Sequence, residues 1–399
     1  AAVRFLQRAT DAYRSSGFRL VQSYQDNSGL TDIAFIYDNA LTTIALLSAG
    51  DVACARAIGD GLLYAQTHDA EFDDFRLRQA YHANRFVDDA GVAISGYEFG
   101  LVGTAVGDMA WTGIALAQLA RRTRNQSYLR GALRIGRWIY RNTYSASGLG
   151  GYTFGETAGL QDHKSSEHNI DVYAFFRMLA KLTGDQAWVN RADHAWAFVE
   201  KMWNGDGGFF WTGSDDGSTI NKEPKQLPED VQTWSWLAAR KRRYTAALDW
   251  AANNLATTDT PLRANSALTG NYSVSGVVFA SGSLITNTDE PIGGQSYNPK
   301  PDNASVWFEG TAHLALALRD RRADGHRQAA VDLLGEIRSA QAELGKRQTF
   351  GGKPAPGGIV AASSPLDTGF GFGYFPNLHI GATSWYVFAA TNVNPYRFL

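Results

Sequence analysis

Two kinds of helical pattern alternate along the chain. One is apolar on nearly every side and rich in small residues, as in 107–123 (GDMAWTGIALAQLARRT). The other carries Arg, Lys, Asp and Glu on one face, as in 127–143 (SYLRGALRIGRWIYRNT). A helix that is apolar all round is typical of a buried position, whereas a helix with one charged face lies at a surface. The alternation therefore predicts inner helices, each followed by an outer one.

This pair of patterns recurs along most of the chain. The predicted inner and outer members are 37–50 and 51–66, 107–123 and 127–143, 167–184 and 185–203, 229–241 and 243–256, and 305–321 and 326–344. A sixth apolar helix at 380–392 has no outer helix after it, and the opening stretch 2–16 has no inner helix before it. Because 2–16 can complete the last pair and close a ring, we predict one all-α domain over residues 1–399, an (α/α)6 barrel.

The links between the predicted helices differ in length on the two ends of the barrel. An inner helix passes to its outer helix through a few residues, often Gly-Asp as at Gly50-Asp51, which can end one helix and cap the next. The links from outer to inner helices are long: 17–36, 67–106, 144–166, 204–228, 257–304 and 345–379. Long loops gathered at one end are typical of a functional site. We expect long loops and short hairpins to wall a cleft where the inner helices begin.

Composition narrows the class of protein. The 399 residues are 44% hydrophobic and 19% charged, which is typical of a globular chain, and the net charge of −2 gives no basic surface for nucleic acid. No apolar run approaches the roughly 18–20 residues that a membrane span needs. Cys54 is the single cysteine, which excludes internal disulfides and multi-cysteine zinc sites. No nucleotide-binding motif stands in a credible context, so we expect no cofactor and no metal.

The inner–outer pairing, the six repeats and the one-sided loops resemble the six-hairpin toroids of carbohydrate-active enzymes. That group includes inverting glycoside hydrolases, uronate lyases and sugar epimerases. The resemblance covers nearly the whole chain, but it lies in the architecture and points to no single family. It implies a carbohydrate substrate, bound in the cleft at the start of the inner helices.

Ionisable residues stand near the starts of the otherwise apolar inner helices. Burying such a group beside apolar walls is costly unless it is paired or reaches water, so these residues are candidates for chemistry. For Asp108 and Asp230 the simpler interpretation is an acidic cap in the first helical turn. The full set is Asp38, Asp108, Glu167, His168, Asp171, Asp230, Glu309 and His313.

Glu167 and Glu309 are the predicted catalytic pair. An inverting glycosidase needs a protonated carboxyl for the leaving oxygen and a carboxylate to activate water, roughly 6.5–9.5 Å apart. Carboxyls on different inner helices could meet that spacing across a cleft. Asp171 lies four residues after Glu167 on the same helix face and could raise its pKa, while Asp38 opens the first inner helix as a further catalytic candidate.

Aromatic residues supply candidate sugar-binding surfaces. The inner helices carry several tryptophans that could stack on sugar rings, although core packing is the alternative for each of them. Aromatic residues on loops have less packing reason to exist and are the better cleft candidates. We predict substrate contacts at Trp111, Trp234, Trp236 and Trp385 on helices, and at Tyr152, Trp211 and Phe372 on loops.

Three functions stay open beside one another. An acid/base glycoside hydrolase is favoured, with His168, His313, Asp108 and Asp230 assigned to substrate binding. Alternatively, the two histidines could act as acid and base in a sugar epimerase, or in a uronate lyase with nearby Arg or Lys. A non-catalytic glycan-binding protein would keep the tryptophans without the carboxylate pair. The chain starts at Ala1 without a methionine, and with this function we expect a secreted or periplasmic protein.

Overall fold

A computed structural model describes residues 1–13 and 17–399. Twelve helices form the framework of the fold, and the strands are short. The helices are α1 Ala2–Thr10, α2 Ile36–Ser48, α3 Val52–Ala65, α4 Val106–Thr123, α5 Gln126–Thr143, α6 Ser166–Thr183, α7 Gln186–Lys201, α8 Glu229–Ala239, α9 Ala246–Asn254, α10 Phe308–Arg321, α11 His326–Glu343 and α12 Ile380–Thr391.

The even-numbered helices form a closed inner ring. Each of them packs against the next in the order α2, α4, α6, α8, α10, α12, and α12 packs against α2. The odd-numbered helices α3 to α11 pack outside the inner helix that precedes them, and α1 packs on α12. The all-α (α/α)6 barrel is therefore confirmed. The first helix ends at Thr10, short of the predicted 2–16, and residues 14–16 lie outside the described residues.

Two predicted helices start later than expected. The predicted inner helix 305–321 begins at Phe308, because Trp307 is extended and forms a β-bridge with Ala362. The predicted outer helix 243–256 is preceded by a 3-10 turn at Arg242–Tyr244 and is helical only over Ala246–Asn254.

The long loops carry short antiparallel strand pairs at the end where the inner helices begin. The strands are β1 Ile33–Phe35, β2 Ala80–His82, β3 Thr104–Ala105, β4 Gly155–Glu156, β5 Lys164–Ser165, β6 Trp203–Asn204, β7 Phe209–Phe210, β8 Gly213–Ser214, β9 Ala256–Asp259, β10 Val274–Val277, β11 Thr349–Phe350, β12 Lys353–Pro354, β13 Ile359–Val360, β14 Leu366–Asp367, β15 Gly373–Tyr374 and β16 Leu378–His379.

These pairings join each long loop to the next around the ring. β1 pairs with β2, β3 with β4 and β5 with β8. Single bridges continue the circle between Pro228 and Ala280, between Trp307 and Ala362, and between Tyr24 and His379. Each of the six pairings includes the residue or strand immediately before an inner helix. The entry of every inner helix is therefore held by backbone hydrogen bonds.

A second interaction repeats at the fourth residue of every inner helix. There a side chain accepts a hydrogen bond from a backbone N–H of the preceding long loop. The pairs are Asn39 with Val21, Met109 with Leu77, Asn169 with Tyr152, Gln232 with Phe210, Thr311 with Val277, and Thr383 with Ile359. Because the loop is tied to the first helical turn, the side chains of that turn are held in place before any ligand binds.

Glycines allow the inner helices to approach closely. A Cβ added to Gly113 of α4 would lie 2.2 Å from the ring of Phe175 on α6, and one added to Gly107 would lie 2.4 Å from the imidazole of His168. Glycine is unfavourable in a helix by about 1 kcal/mol relative to alanine, so these positions are explained by packing.

The C-terminal segment closes the other end of the barrel. Tyr396 reaches into the ring, where its hydroxyl donates to Asp171 Oδ1 (2.7 Å) and its ring packs on Trp111. The Asn394 amide donates to the carbonyl of Leu237 (2.8 Å). The C-terminal segment therefore fills part of the barrel interior at the end opposite the long loops. Across the described residues, no helix is both long and apolar enough to cross a membrane.

Candidate active site

Four carboxyl groups meet at the mouth of the inner ring. Asp108 is the third residue of α4, and Glu167, Asp230 and Glu309 are the second residues of α6, α8 and α10. They line a central cavity of about 160 Å³, which we call the inner cavity. Its remaining walls are largely aromatic: Tyr37, Trp111, Trp234, Phe279, Trp307, Phe372 and Tyr374.

A larger cavity of about 710 Å³, the outer cavity, adjoins the inner one. It is walled by the third, fourth and sixth long loops. Five residues line both cavities and mark the junction between them: Glu167, His168, Asp230, Phe279 and Phe372. The two cavities form one cleft that leads from the loops to the carboxyl groups.

Glu309 is held by a short chain of hydrogen bonds. The Tyr37 hydroxyl donates to Glu309 Oε1 (2.6 Å), and Trp385 Nε1–H donates to the Tyr37 oxygen (3.0 Å), which directs the tyrosine proton to the carboxyl group. Burial raises the pKa of Glu309 to about 7, against the opposing effects of His379 and the Tyr37 hydrogen bond. Oε2 has no hydrogen-bond partner among the described residues.

Glu167 lies in a different electrostatic setting. Burial raises its pKa well above the usual value, and the nearby carboxyl groups of Asp230 and Asp171 raise it further. Burial also raises the pKa of Asp108 and of Asp230 to about 7. A proton is therefore retained more strongly at Glu167 than at an exposed glutamate.

His379 connects the site to the first and last inner helices. Its Nε2 lies 3.0 Å from Asp38 Oδ1, its Nδ1 lies 3.7 Å from Glu309 Oε2, and its ring stacks on Tyr24 with centroids 4.3 Å apart. Burial lowers the pKa of His379, but Asp38 and Glu309 outweigh burial and raise it overall. Asp38, predicted as a catalytic residue, lines neither cavity; its charge raises the pKa of Glu309, and its carboxylate pairs with His379.

A buried carboxyl–imidazole pair lies next to Glu309, one helical turn further into the barrel, with His313 Nε2 3.8 Å from Glu309 Oε1. His313 Nδ1 lies 3.0 Å from Glu229 Oε2, and neither side chain is exposed. Burial lowers the pKa of His313 well below its usual range and raises that of Glu229 well above. Both shifts favour the uncharged form of each group. His313 lines neither cavity, so the prediction that it contacts substrate is wrong.

The structure places the other predicted polar residues in two groups. Asp108, Asp230 and His168 line the inner cavity, as a role in substrate binding requires. Burial lowers the pKa of His168 to about 4, which keeps its imidazole uncharged. Asp171 lies deeper, bonded to Tyr396, and has no access to either cavity. Its predicted influence on the pKa of Glu167 is present, whereas direct catalysis by Asp171 is wrong.

The predicted aromatic contacts divide in the same way. Trp111 and Trp234 line the inner cavity, and Phe372 lines both cavities. Trp385 is fully buried beneath the site and contributes through Tyr37.

Three further predicted aromatic residues lie away from the two cavities. Trp236 donates to Asp320 near the C-terminal end of α10, away from the cleft. Tyr152 is fully buried against Phe176, with its hydroxyl bonded to the Arg191 carbonyl. Trp211 is half-buried beside Phe209 and lines neither cavity.

Several residues of the site are not among those predicted from the sequence. Tyr37 and His379 each lie next to the start of an inner helix, and Glu229 directly precedes the predicted Asp230. Phe279 and Tyr374 come from the long loops. A signal for three of these residues is present in the sequence. Tyr37, Glu229 and His379 lie at the starts of inner helices, and that position is what selects the predicted carboxylates.

The described ranges contain no group of three or more His, Cys, Asp or Glu side chains that could hold a metal ion. The carboxyl groups around the inner cavity are instead placed to transfer protons and to form hydrogen bonds with a ligand in the cleft.

The comparisons with known proteins give a consistent result for the fold. No protein-family model matches the chain, and no curated protein matches its sequence. A glycosidase variant solved in complex with glucose aligns with a TM-score of 0.59 at 10% identity, over 99% of this chain and 96% of that one.

Two mannan-degrading enzymes of glycoside hydrolase family 76 are also similar in structure. A mannosidase from Bacteroides thetaiotaomicron aligns with a TM-score of 0.56 at 11% identity, over 98% of this chain and 97% of that one. An alpha-1,6-mannanase from Salegentibacter sp. HEL1_6 aligns with a TM-score of 0.56 at 14% identity, over 99% of both chains. At these identities the similarity shows the shared toroid fold of glycoside hydrolases, across the length of the chain.

Proposed function

We propose that this protein is a glycoside hydrolase that works by acid/base catalysis with inversion. Glu167 is the general acid and Glu309 is the general base. The observation that carries the proposal is a sugar-sized cavity with carboxyl groups from α6 and α10 in its wall. The two groups differ in pKa: that of Glu167 is raised well above its usual value, and that of Glu309 is raised to about 7.

Glu167 suits the acid role because of its charge environment and its position. Its pKa is raised by burial and by two neighbouring carboxyl groups, so it keeps its proton to higher pH than an exposed glutamate does. It lies at the junction of the two cavities, where the glycosidic oxygen of a substrate spanning both would be. A protonated carboxyl there donates to the leaving oxygen as the bond breaks.

Glu309 suits the base role because it ionises more readily. The Tyr37 hydrogen bond and His379 both favour its carboxylate form. Oε1 accepts the Tyr37 hydrogen bond, and Oε2 is buried 3.7 Å from His379 Nδ1. The carboxyl group lines the inner cavity, where its carboxylate would accept a proton from an attacking water. Tyr37 is a positioning residue here, since it fixes the orientation of the carboxyl group.

The aromatic walls suit a sugar substrate. Trp111, Trp234 and Trp307 surround the inner cavity, and the C–H faces of a sugar ring pack on such surfaces. The same walls keep the site poor in water, which strengthens the interaction of the carboxyl groups with a developing positive charge. The solved neighbours include a glucose complex and an alpha-1,6-mannotriose complex of other toroid enzymes.

The composition of the inner cavity weighs against a uronate lyase. A lyase needs basic side chains that bind and neutralise the uronate carboxylate. No Lys or Arg is among the described residues that line the inner cavity. The epimerase and glycan-binding alternatives stay predictions that an assay of the products separates.

The test is a screen of the purified protein against neutral and acidic glycans. Products are read as new reducing ends, as absorbance of an unsaturated uronate and as isomerised sugar. We expect reducing ends alone, and we expect their release to fall at least a hundredfold in Glu167→Gln and in Glu309→Gln, about the contribution of general acid/base catalysis.

Glu343→Gln is the matched control, because Glu343 is an exposed glutamate on α11 whose contact is an ion pair with Lys346. It should keep full activity. Unsaturated products would move the assignment to a lyase, and isomerised sugar to an epimerase. Binding without turnover in the unmodified protein would contradict the hydrolase and favour a glycan-binding role.

A further inference from the structure

The two cavities of the cleft differ in size and in what lies beyond them. The inner cavity holds about 160 Å³, enough for one monosaccharide ring but not for two. The outer cavity holds about 710 Å³ and extends over the third and fourth long loops. A substrate that reaches the carboxyl groups therefore has room to continue on one side only.

Stacked aromatic residues close the side of the inner cavity that faces α10, α12 and α2. Tyr374 stacks on Trp307, with centroids 5.8 Å apart and ring planes at 23°. Tyr24 lies parallel to His379, and the same two residues form a backbone bridge between the first and sixth long loops. Trp307 and Tyr374 line the inner cavity but not the outer one, so a glycan chain that continued beyond Glu309 would have to pass these stacked rings.

We propose that the enzyme is exo-acting on neutral glycans: the inner cavity binds one terminal sugar, and the outer cavity binds the rest of the chain. This inference rests on the proposed hydrolase function and specifies its substrate. It differs from internal cleavage, which needs a groove that is open at both ends.

The positions of the two carboxyl groups agree with this arrangement. Glu167 lies at the junction, next to the bond between the terminal sugar and the remaining chain, and Glu309 lines the inner cavity alone. In the step, the bond from the anomeric carbon to the glycosidic oxygen breaks, and that oxygen takes the Glu167 proton. A water oxygen bonds to the anomeric carbon and gives its proton to Glu309, so one water is consumed for each sugar released.

The charges along the cleft select an uncharged sugar. Four carboxyl groups surround the inner cavity. Lys164 is the one Lys or Arg among the described residues that line either cavity. Its ammonium group is already bonded to Ser145 Oγ, to the Ser147 carbonyl and to the Gly217 carbonyl at 3.0–3.2 Å. A uronate, sulfate or phosphate on the terminal sugar would therefore find no free cation along the cleft to offset its charge.

The experiment follows products from neutral oligosaccharides that carry a fluorescent label at the reducing end. We expect free monosaccharide from the first turnovers and a labelled ladder that shortens by one sugar at a time. An early mixture of labelled oligosaccharides of scattered length would overturn the inference while leaving the hydrolase function intact.

A paired variant tests the closed end directly. Tyr374→Ala removes the ring that stacks on Trp307 and should give internal cleavage products that the unmodified enzyme lacks. Tyr297→Ala is the control, because Tyr297 is 81% exposed and lines neither cavity. If Tyr374→Ala stays folded by circular dichroism and its products are unchanged, Tyr374 does not close the cavity.

A binding measurement separates this inference from the proposed function. In Glu309→Gln, the tryptophans of the inner cavity report binding of a free neutral monosaccharide through their fluorescence. We expect one site, with at least tenfold weaker binding of the matching uronic acid. If no glycan is hydrolysed, the hydrolase proposal fails, and this titration still decides the terminal-sugar site: equal or tighter binding of the uronic acid, or no binding of either sugar, would overturn it.

Discussion

Replacing Glu309 by glutamine should change the dependence of stability on pH. The pKa of Glu309 is raised from 4.5 to about 7 in the folded protein, chiefly by burial. The folded state therefore binds more protons than the unfolded state between these two values. Because stability falls with rising pH wherever the folded state binds more protons, the Glu309 carboxyl destabilises the protein as pH rises through this window.

The magnitude follows from the size of the pKa shift. With one pKa unit worth about 1.4 kcal/mol, a shift from 4.5 to about 7 removes roughly 2–3 kcal/mol of unfolding free energy between pH 5 and pH 8. Glutamine has the shape of the protonated acid but cannot ionise. Glu309→Gln should therefore match the unmodified protein near pH 5 and exceed its stability by roughly 2–3 kcal/mol at pH 8.

Urea unfolding at pH 5, 6, 7 and 8 measures this difference, with Glu343→Gln as the exposed control. We expect the stability curves of the two variants to diverge above pH 6, and we expect the stabilised Glu309→Gln to be the inactive one. If Glu309→Gln and the unmodified protein changed stability in parallel from pH 5 to pH 8, burial would not raise the pKa of Glu309 into this range, and the reasoning would be refuted.

Further substitutions test the hydrogen bonds, the cleft wall and the helix packing. Tyr37→Phe removes a donor that favours the Glu309 carboxylate, so the rise of kcat/KM with pH should move to higher pH by about one to two units; an unmoved profile would refute the role of Tyr37. Phe372→Ala removes a half-exposed ring at the cavity junction and should raise KM roughly fivefold at unchanged thermal stability; equal KM values would remove Phe372 from the binding site. Gly113→Ala would place a Cβ 2.2 Å from the Phe175 ring and should destabilise the protein by about 1–3 kcal/mol in thermal unfolding, unless the two helices separate more easily than the packing indicates.

The barrel could be predicted from the sequence because its physical signal is long and repeated. Each inner helix is apolar on all sides, and each outer helix has one charged face, so every pair carries its own assignment to a layer. The helix at 380–392 has no outer partner after it, and the segment 2–16 has no inner partner before it. Pairing these two closes the ring, and α1 does pack on α12.

The candidate site could be predicted only in part. Glu309 stood out because a lone glutamate in an apolar helix needs a reason, and its neighbours in the ring followed from the same rule. Helical periodicity does not show which of two adjacent first-turn residues points to the axis, so Glu229 was passed over in favour of Asp230. Tyr37 was missed because its role depends on a partner 272 residues away.

The loop aromatics were the least predictable part. Tyr152 is predicted in the cleft because it is an aromatic residue on a loop, yet this loop folds back against α7 and buries the ring. Tyr374 lies in an equally glycine-rich stretch and does line the inner cavity. Local composition identifies such segments as loops, but their path depends on backbone pairing between loops that are distant in sequence.

The proposed mechanism is tested most directly by proton NMR of the sugar released in the first minutes of hydrolysis. An active glycan from the screen serves as substrate, and the anomeric signal is followed before the free sugar equilibrates. With Glu167 as acid and Glu309 as base, the first product should have the anomeric configuration opposite to that of the substrate linkage, and Glu309→Gln should release almost none. A first product with the configuration retained, or an undiminished rate in Glu309→Gln, would contradict the mechanism.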